Sequence, residues 1–237
     1  MANHIPDEIV SEILSPLLKL PGQVFSDTSA KPLTAPGYSS STYLLVCKSW
    51  LRVATPLLYN VVILRTTAQA NALSNVLLNN PEIGPFIRKL RVEGGFGSAM
   101  LRILRSSPNI TDLFLSLIIW SSDRVGGLCE GLASINPRRV IVVDGNLWTN
   151  PKPMKNQEVA NLLKSLTARI PKWDKLVRFF SALSHCPLNL SSRRSSTFHM
   201  SSAGPDPSTP LAALFCLNEL RCWLLLWLSP KALKPSS

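Results

Sequence analysis

The chain has 237 residues, of which 46% are hydrophobic and 16% charged, and its formal net charge is +11. This composition excludes a largely disordered chain, because the apolar fraction is high enough to bury a core. The positive charge favours anionic partners, but the cations occur singly or in pairs and lack the interleaved aromatic residues of a nucleic-acid-binding surface. We therefore predict a folded protein that binds no nucleic acid.

The first predicted element is an amphipathic helix in the stretch IPDEIVSEIL, residues 5–14. Pro6 suits the first helical turn, and the two acidic residues after it place negative charge at the positive end of the helix dipole. Ile5, Ile9 and Ile13 recur every four residues, which predicts a wide apolar stripe. Pro16 is expected to end or kink the helix.

A long mobile loop is predicted next, because residues 19–42 are rich in Pro, Gly, Ser and Thr. A second helix is predicted to follow in YLLVCKSWLRVA and to end at Pro56. Its apolar positions fall on one helical face; they are Tyr43, Val46, Cys47, Trp50 and Ala54.

Two of these pieces, IPDEIVSEIL and LVCKSWLRVATPLLY, resemble an F-box. The second is the more specific, because the family has Val-Cys, a basic residue, a spacer and Trp at this place. The resemblance implies a contact with a Skp-type adaptor, which links the protein to a cullin scaffold. The residues that it assigns to this adaptor contact are Ile5, Pro6, Ile9, Ile13, Val46, Cys47, Trp50, Leu57 and Leu58.

The middle of the chain carries an irregular repeat in which a helical stretch precedes a short strand. The strands lie in PFIRKLRV, PNITDLFL and PKWDKLVRF, with a looser copy in PRRVIVVDG. Each unit is too small to bury its own apolar face, so the units are expected to stack with their strands parallel. This arc is similar to the irregular leucine-rich arcs that follow the F-box in many proteins, including fungal ones, where a concave face is presented to a substrate.

Side chains that alternate along these strands are predicted to point either into the core or to the concave face. Leu90, Leu113 and Leu176 are expected to point inward. Their neighbours are candidates for an exposed basic face that would bind an acidic or phosphorylated substrate segment, and these candidates are Arg91, Phe114, Arg138 and Arg139. The alternative is that the arginines only keep the arc soluble.

The character of the sequence changes after residue 180. A polar low-complexity stretch is followed by LAALFCLNELRCWLLLWL, in which Glu219 and Arg221 make insertion into a membrane unfavourable. Two interpretations stay open, a docked terminal helix and a tail without a native fold from a truncated or misread coding sequence.

Catalytic chemistry finds little support. GGFG at 94–97 follows a predicted strand, but Met100 stands where a dinucleotide-binding fingerprint needs its last glycine. Only three histidines occur, which leaves little material for a catalytic triad or a metal site. We predict no catalytic residue, no metal and no cofactor.

The five scattered cysteines and the start without a secretory signal indicate a reducing compartment, the cytoplasm or the nucleus.

The sequence thus predicts an α+β protein in three parts: an F-box-like helical module over 1–64, a leucine-rich-repeat-like α/β arc of parallel strands over 65–180, and an irregular tail over 181–237. The function predicted is that of a substrate receptor of an SCF-type ubiquitin ligase, not an enzyme. Two alternatives remain, an F-box-like scaffold outside ubiquitin ligases and a small nucleotide-binding α/β enzyme that uses the GGFG loop.

Overall fold

The computed structural model describes residues 5–27, 40–120, 122–143 and 156–182. Within them the chain combines helices with one parallel sheet, which confirms the predicted mixture of helix and strand. The predictions for the apolar stretch LAALFCLNELRCWLLLWL concern residues that lie outside these ranges.

The sheet has five parallel strands in the order of the sequence. They are β1 (Val61–Leu64), β2 (Lys89–Val92), β3 (Asp112–Ser116), β4 (Arg139–Val143) and β5 (Arg178–Ala182). Each pairs with the next in continuous register, so that Leu90, Leu113, Val140 and Phe179 form one row across the sheet. The parallel strands predicted from the repeat are therefore present, although the last begins two residues later than Leu176.

The helices between the strands are α4 (Thr67–Asn79), α5 (Gly97–Ser106), α6 (Gly126–Gly131) and α7 (Gln157–Arg169). Two begin at clear caps, because the Thr66 side chain accepts a hydrogen bond from the Gln69 amide and the Asn156 side chain accepts one from Glu158. Short 3-10 turns follow α4, α6 and α7, at Pro81–Phe86, Leu132–Ser134 and Ile170–Lys172.

The main core lies between these helices and one face of the sheet, here called the outer face. Leu90 and Leu113, which were predicted to point into the core, lie on this face and are fully buried. Leu176, which was predicted to do the same, packs against this core and is partly buried. The opposite face carries the row Ile63, Arg91, Phe114, Ile141 and Phe180, and is called the inner face.

The N-terminal helical module consists of α1 (Asp7–Leu18), a 3-10 turn (Ser40–Leu45) and α3 (Lys48–Tyr59). Two predictions were wrong here and a third was wrong in part. Pro56 lies inside α3 and does not end it. Pro16 lies inside α1 and does not end it either, and the expected kink stays a prediction. The second helix is not continuous from Tyr43, because Cys47 is extended, with φ −163° and ψ 171°, and separates the 3-10 turn from α3.

A further short helix, α2 (Gly22–Ser26), lies in the stretch predicted to be a mobile loop. Its Phe25 is fully buried, so this part of the predicted loop is ordered and packed.

β1 pairs with β2, so the sheet begins at Val61, before the predicted boundary at residue 64. None of the helices within the described residues is both long enough and apolar enough to cross a membrane.

Candidate functional site

The helical module is held together by one small core and one ion pair. Val10, Leu14 and Leu18 of α1 pack with Ala54 of α3. The Asp7 carboxylate accepts hydrogen bonds from Arg52 at 2.7 and 2.8 Å and from the Ser49 hydroxyl at 3.0 Å. These contacts join the start of α1 to the first turns of α3.

A second apolar stripe on the N-terminal segment is left uncovered by the described part of the chain. Ile5, Ile9, Ile13 and Leu17 recur every four residues beside the buried stripe, and each is between 49% and 54% exposed. Full burial of such a side chain contributes about 1.5–3 kcal/mol, so a partner that covered this stripe would gain binding free energy from the apolar surface it buries. Contiguous exposed apolar surface is typical of interaction sites, so this stripe is a candidate interaction surface.

The turn before α3 adds further exposed apolar side chains. Leu45 is 84% exposed, Val46 59% and Leu51 47%. Cys47 is exposed as well. Trp50 is half-buried. It stacks on Tyr43, with ring centroids 6.5 Å apart, and packs on the module's core.

The nine predicted adaptor residues thus divide into two groups. Six are exposed, namely Ile5, Pro6, Ile9, Ile13, Val46 and Cys47. Three are partly buried, namely Trp50, Leu57 and Leu58. Sequence reasoning missed Leu17, Leu45 and Leu51; Leu17 could have been found, because it continues the spacing of four by one more step.

The inner face of the sheet is covered at its centre by residues 22–27, here called the covering segment. Phe25 packs with Phe114, Ile141 and Val143 in a cluster separate from the main core. The Phe25 and Phe114 rings meet edge to face, with centroids 6.3 Å apart and an interplanar angle of 76°. Both side chains are almost completely buried.

Arg91 holds the covering segment in place. One guanidinium nitrogen donates to the carbonyl oxygens of Val24 at 3.5 Å, Phe25 at 3.1 Å and Asp27 at 2.7 Å. The same guanidinium lies 4.0 Å from the centroid of the Phe114 ring and pairs with Glu93 at 2.6 Å. Arg91 therefore satisfies carbonyls at the end of α2, which a helix of this length leaves unpaired.

The prediction of an exposed basic face at these residues was wrong for two of its four members. Arg91 is 7% exposed and Phe114 2% exposed, because the covering segment lies over them. Arg139 is partly buried, forms an ion pair with Asp112 and lies 5.8 Å from the Phe25 ring centroid. Arg138 is exposed and sits one position before β4, outside this cluster.

The GGFG turn binds a carboxylate of the same chain. The amides of Gly95 and Phe96 donate to Asp123 at 2.5 and 2.8 Å. A Cβ on Gly95 would lie 2.7 Å from the Arg124 carbonyl oxygen, which explains why glycine is needed at this close approach. A phosphate at this turn would have to displace Asp123, because that carboxylate already occupies the two amides.

Other reactive groups are few in the described part of the chain. Burial raises the pKa of the Cys129 thiol, against a hydrogen bond from Ser165 that lowers it. No group of three or more histidine, cysteine or acidic side chains suited to a metal ion occurs among the described residues.

Comparison with known proteins returned no matching family model, no matching curated protein and no matching solved structure.

Proposed function

We propose that this chain is a substrate-receptor subunit of an SCF-type ubiquitin ligase. Its helical module would bind a Skp-type adaptor, and its strand–helix array would hold a protein substrate. The array resembles leucine-rich repeats in that each described strand pairs only with its neighbours in sequence. The observation that carries the proposal is the uncovered apolar stripe of Ile5, Ile9, Ile13 and Leu17, in a module whose sequence resembles an F-box.

The mechanism of such a receptor is positioning. The adaptor and a cullin scaffold would bring the bound substrate close to a charged conjugating enzyme, which raises the effective concentration of the two reacting groups. The chain itself then needs no catalytic residue.

The test is adaptor binding by Ile9→Asp and Ile13→Asp variants, measured by calorimetry with a purified Skp-type adaptor. Both side chains are about half exposed, so the folded chain should tolerate the change. An anchor at the centre of an interface contributes about 2 kcal/mol or more, so each variant should bind about thirtyfold more weakly. Leu78→Asp on α4, where the leucine is 68% exposed, is the matched control and should bind like the wild type.

The proposal fails if the folded wild type binds no adaptor, or if Ile9→Asp binds as tightly as Leu78→Asp does. Adaptor binding without association of the cullin would instead favour a scaffold outside ubiquitin ligases.

A further inference from the structure

The edge of the sheet where the strands begin differs from the inner face in that its cations are not engaged. On the inner face, Arg91 binds the covering segment and Arg139 pairs with Asp112. By contrast, Arg88, Arg138 and Lys175 are exposed and form no direct ion pair with another described residue. All three line one groove at the edge where the strands begin.

Backbone hydrogen bonds set the spacing of these cations. The Thr111 amide donates to the Arg88 carbonyl at 2.8 Å, and the Arg138 amide donates to the Thr111 carbonyl at 2.8 Å. Arg88 and Arg138 therefore occupy equivalent positions two strands apart, about 10 Å from each other at the usual strand spacing. This is the length of about three residues of an extended peptide.

The groove combines this charge with apolar side chains. Its volume is about 640 Å³, and its lining also includes Pro108, Ile110 and Leu176. Among the described residues of the lining, Asp174 carries the only carboxylate. A hydrogen bond from Asn136 lowers the pKa of Asp174, so it stays charged at neutral pH and leaves an excess of positive charge in the groove.

We propose that this groove binds an acidic peptide segment, with Arg88, Arg138 and Lys175 pairing with its anionic side chains. The inference rests on the proposed function in one respect, since it takes the segment to belong to the substrate. Arginine binds carboxylate and phosphate groups with paired hydrogen bonds, so the anions can come from Asp and Glu or from phosphorylated side chains. Within the described part of the chain, no aromatic side chain on which a nucleic-acid base could stack lines the groove.

The experiment measures the binding of fluorescent probes to the full chain by anisotropy at low ionic strength, without adaptor. The probes are an octaglutamate peptide, a phosphoserine peptide of equal length and single-stranded DNA of equal length. We expect a peptide probe to bind, and Arg88→Glu with Arg138→Glu to weaken that binding about tenfold or more, since two attractions become repulsions. Stronger binding of the phosphoserine peptide than of octaglutamate would assign the anion to phosphorylated side chains, and the reverse order to carboxylates.

The matched control is Arg102→Glu with Lys164→Glu, which changes the net charge equally at two exposed positions on α5 and α7. The proposal is overturned if neither peptide binds the wild type, if the control loses as much peptide binding as the groove variant, or if DNA binds more tightly than both peptides. Because no adaptor is present, this result is separate from the test of the proposed function. Adaptor binding by the groove variant, measured in parallel, should equal that of the wild type.

Discussion

Two cysteines of the described chain lie in contrasting surroundings. Cys47 is exposed in the extended link before α3. Cys129 lies on α6, partly buried, and burial raises the pKa of its thiol. Because the thiolate is the reactive form, a raised pKa lowers the reactive fraction at any pH below it.

We predict that iodoacetamide alkylates Cys47 faster than Cys129 at neutral pH, as measured by mass spectrometry of the tryptic peptides. The difference should narrow as the pH rises towards the raised pKa of Cys129, where its thiolate fraction grows. If a Skp-type adaptor covers the turn before α3, it should also slow the alkylation of Cys47 and leave that of Cys129 unchanged. Equal rates without adaptor would contradict this description of the two sites.

Arg91 illustrates what residue type alone could not predict. An arginine on a strand position that faces away from the main core is usually exposed, and no pattern in the sequence indicates that another segment covers it. The cover comes from Phe25, which is 66 residues earlier in the chain than Arg91. Alternation along the strand correctly placed Arg91 and Phe114 on the face opposite Leu90 and Leu113, but it contains no information on long-range contacts.

At the scale of elements, the covering segment is the clearest difference from the sequence prediction. PGQVFSD lies in a stretch dominated by Pro, Gly, Ser and Thr, and only its adjacent Val24 and Phe25 signal a buried element. The helix is a short one of 5 residues, and a helix of this length is not stable alone. It exists because the inner face of the sheet packs against Phe25.

The two prolines inside helices have a related explanation. Proline removes one backbone hydrogen bond from a helix, which favours an end at that point. In α1 the apolar residues on both sides of Pro16, Leu14 and Leu18, are buried in the same small core. In α3, on the two sides of Pro56, Ala54 is buried in that core and Leu57 packs against it while partly buried. Packing on either side keeps the helix continuous where local preference would end it.

We predict that Phe25→Ala destabilises the folded chain by about 3–5 kcal/mol, because it removes a fully buried ring from an apolar cluster. The free energy of unfolding is measured by urea denaturation. Gln23→Ala is the matched control, since Gln23 is an exposed residue of the same helix, and its effect should stay below about 0.5 kcal/mol. A loss as small as that of the control would mean that the segment does not hold to the sheet in solution.

At the scale of the whole molecule, the stacking of the units was the most predictable feature. The strands LRV, LFL and VIV were predicted because short apolar runs follow helical stretches at intervals typical of stacked repeats. Their parallel order follows from such spacing, since each strand is joined to the next by a helix. The end of the last strand was less predictable, because RFFSA continues past the place where the composition changes.

We predict that a chain shortened to end at Ala182 folds and binds adaptor as well as the full chain. One that ends at Val177 should lose about 3 kcal/mol or more, because it lacks β5 and the buried Phe179. Circular dichroism during urea denaturation compares the two. Equal stability of both shortened chains would show that β5 adds no stability. If the chain that ends at Ala182 failed to fold, residues 183–237 would be needed as a structural cap.

The covering segment also has a consequence for how the protein folds. Each strand pairs only with its neighbour in sequence, so the array can grow unit by unit from contacts of modest sequence separation. The pocket for Phe25, in contrast, exists only after β3 and β4 have paired, since it is formed by Phe114, Ile141 and Val143. The covering segment, although it is synthesised before these strands, can therefore dock only after they have paired. Once docked, it contacts β2, β3 and β4 together. The loss of any one of these strands would remove part of its binding site. We therefore expect these three units to unfold cooperatively, whereas an array without such a segment would unfold from its ends.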